Sequence, residues 1–159
     1  MKNEKLIDAL EMFPDILEQF VQQITEEKLH RKRGEGIWTV HEHLHHMALV
    51  QPVMFKRIRM FKNEEKPVIR PYIPGPEEEK ERAVKRPVTE LMRTFGEWRV
   101  KQVDLARSCG PEAWEKTGEH PEYDLYSLEI LLRHVLTHDG WHMHRMEEIW
   151  IAKDEVLTR

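Results

Sequence analysis

Apolar residues recur along the first part of the chain at alternating steps of four and three. The positions are Leu6, Leu10, Phe13, Leu17, Phe20 and Ile24. This spacing is typical of an amphipathic helix that packs one face against partners. Pro14 lies inside the pattern and predicts a kink or a restart near Phe13, because proline cannot donate the backbone hydrogen bond of a helix interior. The glycine-containing stretch RGEGIW then ends this region.

Three further helices are predicted downstream. The sequence from Thr39 to Glu42 fits a capping box, which would start a second helix that runs to about Phe61. A third helix is indicated by five residues that would face inward, and it would end near Ser108-Cys109-Gly110-Pro111. Those five are Val88, Leu91, Met92, Phe95 and Trp98. Ser127 can cap a fourth helix that reaches about Ala152.

The segment between the second and third helices, from Asn63 to Pro87, contains prolines that forbid one long helix. The stretch EEEKERAVK within it could form a short helix. A connection of this length is expected to cross from one end of a bundle to the other. No alternation typical of strands competes anywhere. The prediction is an all-α protein, a four-helix bundle with a long crossover between helices 2 and 3, forming a single domain over residues 1–159.

Composition adds constraints on location and partners. The chain is 40% hydrophobic and 34% charged, and no apolar run is long enough to span a membrane. The start MKNEKLIDALEMF has no pattern of a cleavable signal, so a cytoplasmic protein is expected. The net charge of −4 argues against nucleic acid as a partner, and the basic cluster Lys28–Arg33 is interpreted as a solvated helix end. A single cysteine, Cys109, excludes an internal disulfide and a cysteine-rich zinc site, and is interpreted as structural.

Histidine is the residue that stands out, with ten in the chain. The stretch HEHLHHM contains an H-E-x-x-H pattern formed by His41, Glu42 and His45, which on a helix is typical of zinc metalloproteases. At about 100° per residue, however, His41 and His45 point away from the apolar stripe that starts at Val40. They are therefore predicted to lie on a solvated face, and the motif is interpreted as accidental.

Two other histidines of the second helix could turn inward. His43 and His46 both lie on the flank where Val50 and Val53 widen the apolar stripe. Helical phase alone does not choose between them and slightly favours His43.

The fourth helix places a pair of histidines in the middle of its apolar face. His138 and His142 lie one turn apart, and two unpaired imidazoles there would be costly. A divalent metal resolves the cost, since neutral imidazoles at i and i+4 can chelate zinc, nickel, iron or copper. The alternative is that both are hydrogen-bonded core residues. His144 is predicted to point to solvent.

Three neighbours of this pair have open roles. His134, one turn earlier, either orients a ligand by hydrogen bonding or is an ordinary residue at the edge of the core. Asp139 follows His138 as glutamate follows histidine in H-E-x-x-H and could be an acid–base residue. The favoured interpretation is a carboxylate at the helix rim, solvated or bonded to a ligand. Trp141 falls on the polar side and is a candidate for a pocket rim or a dimer contact.

The histidine helices resemble a known family. The segment WTVHEHLHHMALVQPVMFKRIRMF resembles the second helix of the DinB/YfiT-like superfamily of metal-dependent enzymes, where a metal-binding histidine follows a tryptophan by eight residues, as His46 follows Trp38. The segment EILLRHVLTHDGWHMHRMEEIW looks like the last helix of that family, whose H-x-x-x-H supplies the other two ligands. The resemblance therefore implies metal ligation by His46, His138 and His142. It covers nearly the whole chain and is weakest from Asn63 to Pro87.

The resemblance also implies cofactors and partners. It suggests a divalent ion such as zinc or nickel, a small-molecule substrate and a homodimer. Members of the superfamily include thiol S-transferases that use low-molecular-weight thiols such as bacillithiol, and a mycothiol-dependent isomerase; hydrolysis is the other activity considered. This chain departs from the family pattern at two places. His43 stands where the family usually has an aliphatic residue, so it could be an additional ligand or contact one. The sequence after His142 also differs from the usual pattern.

Three functional hypotheses follow. The leading one is a metal-dependent enzyme, a thiol S-transferase or hydrolase, that acts on a small molecule through a three-histidine site, with no acid–base residue assigned. The alternative is a non-catalytic metal-binding protein or a structural, dimeric helical bundle. A protease that uses His41, Glu42 and His45 is the third, and the outward phase of its histidines argues against it.

Overall fold

Four helical segments pack side by side in a computed structural model that describes residues 3–157. Helix α1, the pair α3 and α4, α6 and α8 form a four-helix bundle, so the predicted all-α architecture is confirmed. Within residues 3–157, no helix combines the length and apolar character that crossing a membrane requires. The helices are α1 (Glu4–Val21), α2 (Glu26–Leu29), α3 (Val40–Leu49), α4 (Gln51–Asn63), α5 (Pro76–Arg82), α6 (Val88–Arg107), α7 (Pro111–Glu115) and α8 (Leu128–Ile151), followed by a 3₁₀ turn (Asp154–Val156).

The predicted starts of the second and fourth helices are confirmed by their caps. The Thr39 hydroxyl accepts a hydrogen bond from the Glu42 amide at 3.1 Å, and the Glu42 carboxylate accepts one from the Thr39 amide at 2.6 Å. This reciprocal pair satisfies two backbone donors that the first turn leaves free. The Ser127 hydroxyl accepts from the Ile130 amide at 3.3 Å at the start of α8.

Helix α1 does not restart at Pro14, contrary to one of the two expectations. The helix runs unbroken from Glu4 to Val21, and Ile24 lies beyond its end. Pro14 has no amide hydrogen to give to the carbonyl of Leu10. The guanidinium of Arg99, on α6, donates to that carbonyl instead, at 3.1 Å. A buried arginine from a neighbouring helix thus replaces the bond that proline removes.

The second helix is two helices, which corrects the prediction of one continuous helix to Phe61. Helix α3 ends at Leu49 and α4 begins at Gln51, with Val50 between them. Pro52 lies in the first turn of α4, where its missing amide hydrogen is tolerated. The prediction of one continuous helix did not take Pro52 into account, and the break follows from this proline.

The crossover between α4 and α6 is held in place by backbone and helical contacts. Its short helix α5 (Pro76–Arg82) confirms the expectation for EEEKERAVK, and α5 packs against α3. Nearer α4, the amide of Ile69 donates to the carbonyl of Glu119, and the amide of Glu119 donates to the carbonyl of Pro67, both at 2.8 Å. The crossover therefore covers one side of α3.

The apolar core has two parts, and the inward-facing histidines lie where they meet. One part includes Met54 on α4 and Val135 on α8. The other includes Met47 on α3 and Met146 on α8. Along α8, the sequence passes from one apolar cluster to the other through a polar stretch that contains His138 and His142. This arrangement positions the candidate site inside the bundle.

The basic cluster Lys28–Arg33 is not simply a solvated helix end, contrary to its interpretation. Arg33 donates to the carbonyls of Ile149 at 2.7 Å and Ala152 at 2.8 Å, and Arg31 donates to that of Ile149 at 3.3 Å. Only 5% of the Arg33 side chain is exposed. These arginines satisfy the free carbonyls at the end of α8, where positive charge also complements the helix dipole.

Candidate metal centre

Three histidines from two helices converge inside the bundle. His46 comes from α3, and His138 and His142 come from successive turns of α8. Each offers one ring nitrogen, and these three atoms lie within 4.8 Å of one another. The Nε2 atoms of His46 and His138 are 3.3 Å apart. The structure therefore brings together the three residues that the family resemblance implied.

His46 is oriented by a carboxylate from the crossover. Its Nδ1 donates to Oε1 of Glu78 at 2.6 Å, and both side chains are buried. Glu78 also accepts hydrogen bonds from the Tyr72 hydroxyl and from Arg82, the latter at 2.7 Å. Burial opposes ionisation of Glu78, but the bonds from Tyr72, His46 and Arg82 outweigh it and hold its pKa below the usual value. An ionised carboxylate thus fixes His46 with Nε2 turned toward the other two histidines.

His138 has a weaker carboxylate partner in Asp139. Its Nδ1 lies 3.5 Å from Oδ1 of Asp139. The other oxygen of Asp139 accepts from Arg99 at 2.5 Å, and only 1% of each side chain is exposed. Asp139 is therefore not solvated, which corrects one of the two expectations for this rim carboxylate. Its contact with His138 agrees with the other, a carboxylate bonded to a candidate ligand.

Arg99 is the centre of a buried polar network beneath the histidines. Besides Asp139 and the carbonyl of Leu10, it donates to the side chains of Gln102 at 3.1 Å and Gln51 at 3.4 Å. Gln102 in turn donates to Gln51. The network links α1, α4, α6 and α8, so the support of the site reaches all four parts of the bundle.

His43 and His46 both turn inward, which resolves the choice that helical phase left open. Nδ1 of His43 lies 2.8 Å from Nδ1 of His142, but His43 is not among the three clustered nitrogens. Burial, and then the charges of Arg145 and His46, lower the pKa of His43 to about 3. Helical phase slightly favoured His43, but the nitrogen that belongs to the cluster comes from His46.

His46 and His142 are held neutral at physiological pH. Burial lowers the pKa of His142 to about 2, with further lowering by the neighbouring histidines. Burial also lowers the pKa of His46, although Glu78 partly opposes the shift. Only neutral imidazole has a lone pair to give to a metal ion. Proton competition for these two nitrogens is therefore weak near pH 7.

The histidines of the H-E-x-x-H pattern are buried, which corrects the prediction of a solvated face. Only 2% of His41 and 1% of His45 is exposed. Nε2 of His41 is bonded to the carbonyl of Arg86 at 2.8 Å, and Nε2 of His45 lies 3.7 Å from the Glu81 carboxylate. The crossover covers this face of α3, and Glu42 serves in the helix cap. Neither His41 nor His45 joins the three clustered nitrogens.

The remaining candidates lie outside the cluster. His134 is bonded to the Tyr126 hydroxyl at 3.1 Å and to none of the three histidines. Cys109 is buried, its thiol donates to the carbonyl of Leu105 at 3.3 Å, and burial raises its pKa. His144 is exposed, as predicted. Trp141 is 54% exposed, and its ring packs edge-on against His142.

A cavity of about 1270 Å³ opens beside the three histidines. Trp38 and Trp141 line it near the cluster, and Met54, Leu131 and Val135 give it apolar walls. Its volume exceeds the roughly 300–1000 Å³ of most ligand pockets. A small molecule can therefore reach the histidines from the surface.

Glu78 and Arg99 support the candidate site, and neither was identified from the sequence. Glu78 belongs to a run of three glutamates in α5, and no spacing distinguishes it from its solvated neighbours. Arg99 left a detectable signal, because it lies one turn after Phe95 and one turn before Val103, both buried on the same face of α6. A charged residue within an apolar stripe indicates a buried ion pair.

Comparisons with known proteins identify a family and relatives of this chain. A sequence model described as "DinB superfamily" matches residues 9–146. The chain is 26% identical to "Putative metal-dependent hydrolase OB0782" of Oceanobacillus iheyensis, over 93% of this chain and 86% of that protein. It is 27% identical to "Putative metal-dependent hydrolase YfiT" of Bacillus subtilis, over 93% and 84%.

The fold also matches a solved structure. The structure is described as "YfiT from Bacillus subtilis is a probable metal-dependent hydrolase with an unusual four-helix bundle topology". It superposes with a TM-score of 0.77 at 24% sequence identity, covering 92% of this chain and 85% of that one. At this identity the likeness establishes the shared bundle topology.

Proposed function

This chain belongs to the DinB superfamily, and we propose that it is a metal-dependent enzyme that acts on a small molecule. His46, His138 and His142 would bind one divalent ion, zinc or nickel. The observation that carries the proposal is the convergence of three ring nitrogens within 4.8 Å inside the bundle, beside an open cavity. The printed names of the relatives, which describe metal-dependent hydrolases, support the same class of protein.

The spacing between the nitrogens of His46 and His138 fits a metal ion. Two nitrogens bound to one zinc at about 2.05 Å with a tetrahedral angle lie about 3.3 Å apart. The Nε2 atoms of His46 and His138 are separated by 3.3 Å. The outer nitrogens of these two rings face Glu78 and Asp139 respectively. Carboxylates on the outer nitrogens of histidines are usual around protein-bound metals, because they fix the ring and raise its basicity.

A metal held by three histidines keeps open positions for chemistry. When bound, such an ion acts as a Lewis acid and lowers the pKa of a water or a thiol. The chain's own contribution is to hold three imidazoles in place and to shelter the reacting group within the cavity. Glu78 and Asp139 are already bonded to cations and histidines, so we assign them to orienting the ligands and not to proton transfer.

Hydrolysis and thiol S-transfer both suit this site. Hydrolysis is the activity in the names of the relatives. The size of the cavity, about 1270 Å³, favours the transferase as a second candidate, because a low-molecular-weight thiol and its electrophile must fit side by side. A homodimer and a cytoplasmic location complete the proposal. They are supported by the family resemblance, by the exposed Trp141 and by the composition.

Activity assays on matched variants test this proposal. The protein loaded with zinc or nickel is expected to cleave activated esters or to join a small thiol to an electrophile such as monochlorobimane. His142→Ala should abolish turnover, whereas His144→Ala, an exposed histidine on the same helix, should leave it unchanged. A protein that binds metal but shows no turnover with either substrate class would identify a non-catalytic metal-binding bundle. Equal activity in the His142→Ala variant would show that turnover does not come from the three-histidine site.

A further inference from the structure

Arg57 lies at the far end of the cavity from the three histidines. It is half-buried on α4, and its neighbour Tyr126 lines the same cavity. Its guanidinium donates to the carbonyl of Arg70 at 2.5 Å and to the sulfur of Met54 at 3.8 Å. Neither partner is negatively charged. Among residues 3–157, Arg57 forms no ion pair with a carboxylate, although Glu122 lines the cavity nearby.

The other arginines that line this cavity have acidic partners. Arg33 pairs with Asp154 at 2.6 Å. Arg145 pairs with Glu148 at 2.5 Å. A guanidinium withdrawn from water costs free energy unless an anion or a set of acceptors compensates it. Within the described part of the chain, Arg57 is thus the cavity arginine whose charge remains available to a ligand.

The same cavity is lined by Arg57 and by the three histidines, and the helices that carry them, α3 and α4 on one side and α8 on the other, run antiparallel. His46 meets His138 and His142 at one end, while Arg57 and Tyr126, near the start of α8, line the other. Arg57 follows His46 by eleven residues, with the break at Val50 between them, and helical backbone of this length spans at most about 16 Å. Between the two ends the walls are Met54, Leu131 and Val135, all of them buried and apolar.

We propose that Arg57 is a specificity-determining residue that binds a carboxylate group of the substrate. The substrate would then be an elongated molecule with its reacting group at the histidines, an apolar middle and an anionic end at Arg57. The planar guanidinium can donate two parallel hydrogen bonds to a carboxylate, which adds orientation to affinity. This inference rests on the proposed function, because it places the reacting end at the metal centre.

Tyr126 supports the site as a neighbour of the guanidinium. It is 2% exposed, and its hydroxyl is bonded to His134. Burial lowers the pKa of Arg57 and raises that of Tyr126, and each group partly offsets the shift of the other. The end of the cavity is therefore polar and cationic, in contrast with its apolar walls.

Two hydroxamates that differ only in their distal end test the proposal. Octanohydroxamic acid and the monohydroxamate of suberic acid both bind metals through the hydroxamate, but only the second has a terminal carboxylate. Isothermal titration of the cobalt-loaded protein gives the affinity for each, and the cobalt absorption spectrum reports metal binding independently of turnover. Arg57→Gln removes the charge, and Arg59→Gln removes an exposed charge from the same helix as a matched control.

The suberic compound is expected to bind the wild type and Arg59→Gln at least about tenfold more tightly than the neutral compound, since a hydrogen bond to a charged group contributes about this much. Arg57→Gln should lose this preference and keep its affinity for octanohydroxamic acid, which also shows that the variant is folded. Equal affinities in the wild type, or a preference that survives Arg57→Gln, would overturn the inference and leave the metal centre standing. Failure of both compounds to bind would overturn the proposed function and this inference with it.

Discussion

At the residue scale, the candidate site depends on carboxylates that arrive from outside the histidine helices. Glu78 belongs to the crossover, yet it is bonded to His46 at 2.6 Å. It fixes which nitrogen of His46 faces the cluster and in which direction. A site built from histidines alone would leave these rings free to rotate or to bond one another. The crossover is therefore part of the site and not only a connection.

Replacing Glu78 with glutamine is expected to weaken zinc binding about 10- to 100-fold, the usual effect of removing the group that orients a ligand. Glutamine keeps an oxygen near His46 but carries no charge for Arg82. Competition with a chromogenic chelator measures the change, and Glu79→Gln, an exposed neighbour on α5, is the control. Equal affinity in Glu78→Gln and Glu79→Gln would show that Glu78 does not support the ligand.

Arg99→Met is expected to destabilise the protein by about 3–5 kcal/mol, because it leaves Asp139 as an unpaired buried charge. The carbonyl of Leu10, which Pro14 cannot satisfy, would also lose its donor. Urea denaturation followed by circular dichroism gives the free energy of unfolding. The control is Arg93→Met on the exposed face of α6. If both variants lose the same small amount, the network beneath the site contributes no net stability.

At the element scale, helix α3 places His43 and His46, and its start depends on the capping box. Thr39→Ala removes the hydroxyl that accepts from the Glu42 amide. A loss of about 1 kcal/mol in the free energy of unfolding is expected. Thr89→Ala, an exposed position near the start of α6, should change stability by less than about 0.5 kcal/mol. A Thr39→Ala variant as stable as Thr89→Ala would mean that tertiary packing alone holds the start of α3.

Helical periodicity predicted the elements better than it predicted what covers them. The apolar stripes of α6 and α8 predicted these two helices, because each helix packs along a single apolar face. The stripe of α8 also placed His138 and His142 inward. The same reasoning failed for His41 and His45, since α5 folds over the other side of α3. That cover is a contact distant in the sequence, and the phase of α3 holds no information about it.

The choice between His43 and His46 shows the same limit. Both face the interior, and only the position of α8 decides which of them meets His138. The resemblance to a family supplied His46 where the residues alone left two options. Glu78 could not be predicted in either way, because one glutamate among three neighbours in α5 becomes buried only when the crossover packs. The sequence and the resemblance therefore indicated the three clustered histidines but not the residue that orients His46.

At the scale of the whole molecule, metal binding should be linked to folding, because the ligands come from helices far apart in the sequence. Zinc at about 100 times its dissociation constant would add about 2.7 kcal/mol. For a chain of this size the melting temperature would rise by about 5–10 °C. Differential scanning fluorimetry with zinc, nickel or magnesium chloride tests this, with His138→Ala as the control. An equal rise with magnesium, or in the variant, would point to nonspecific binding.

The most direct test of the three-histidine centre is elemental analysis of the protein purified without a histidine tag, beside its His138→Ala and His43→Ala variants. We predict a single divalent ion per chain in the wild type. The metal should be lost from His138→Ala and kept in His43→Ala, because His138 belongs to the cluster and His43 only contacts His142. A protein that takes up no metal after incubation with zinc and nickel would contradict the account, as would metal that survives loss of His138 or disappears with His43.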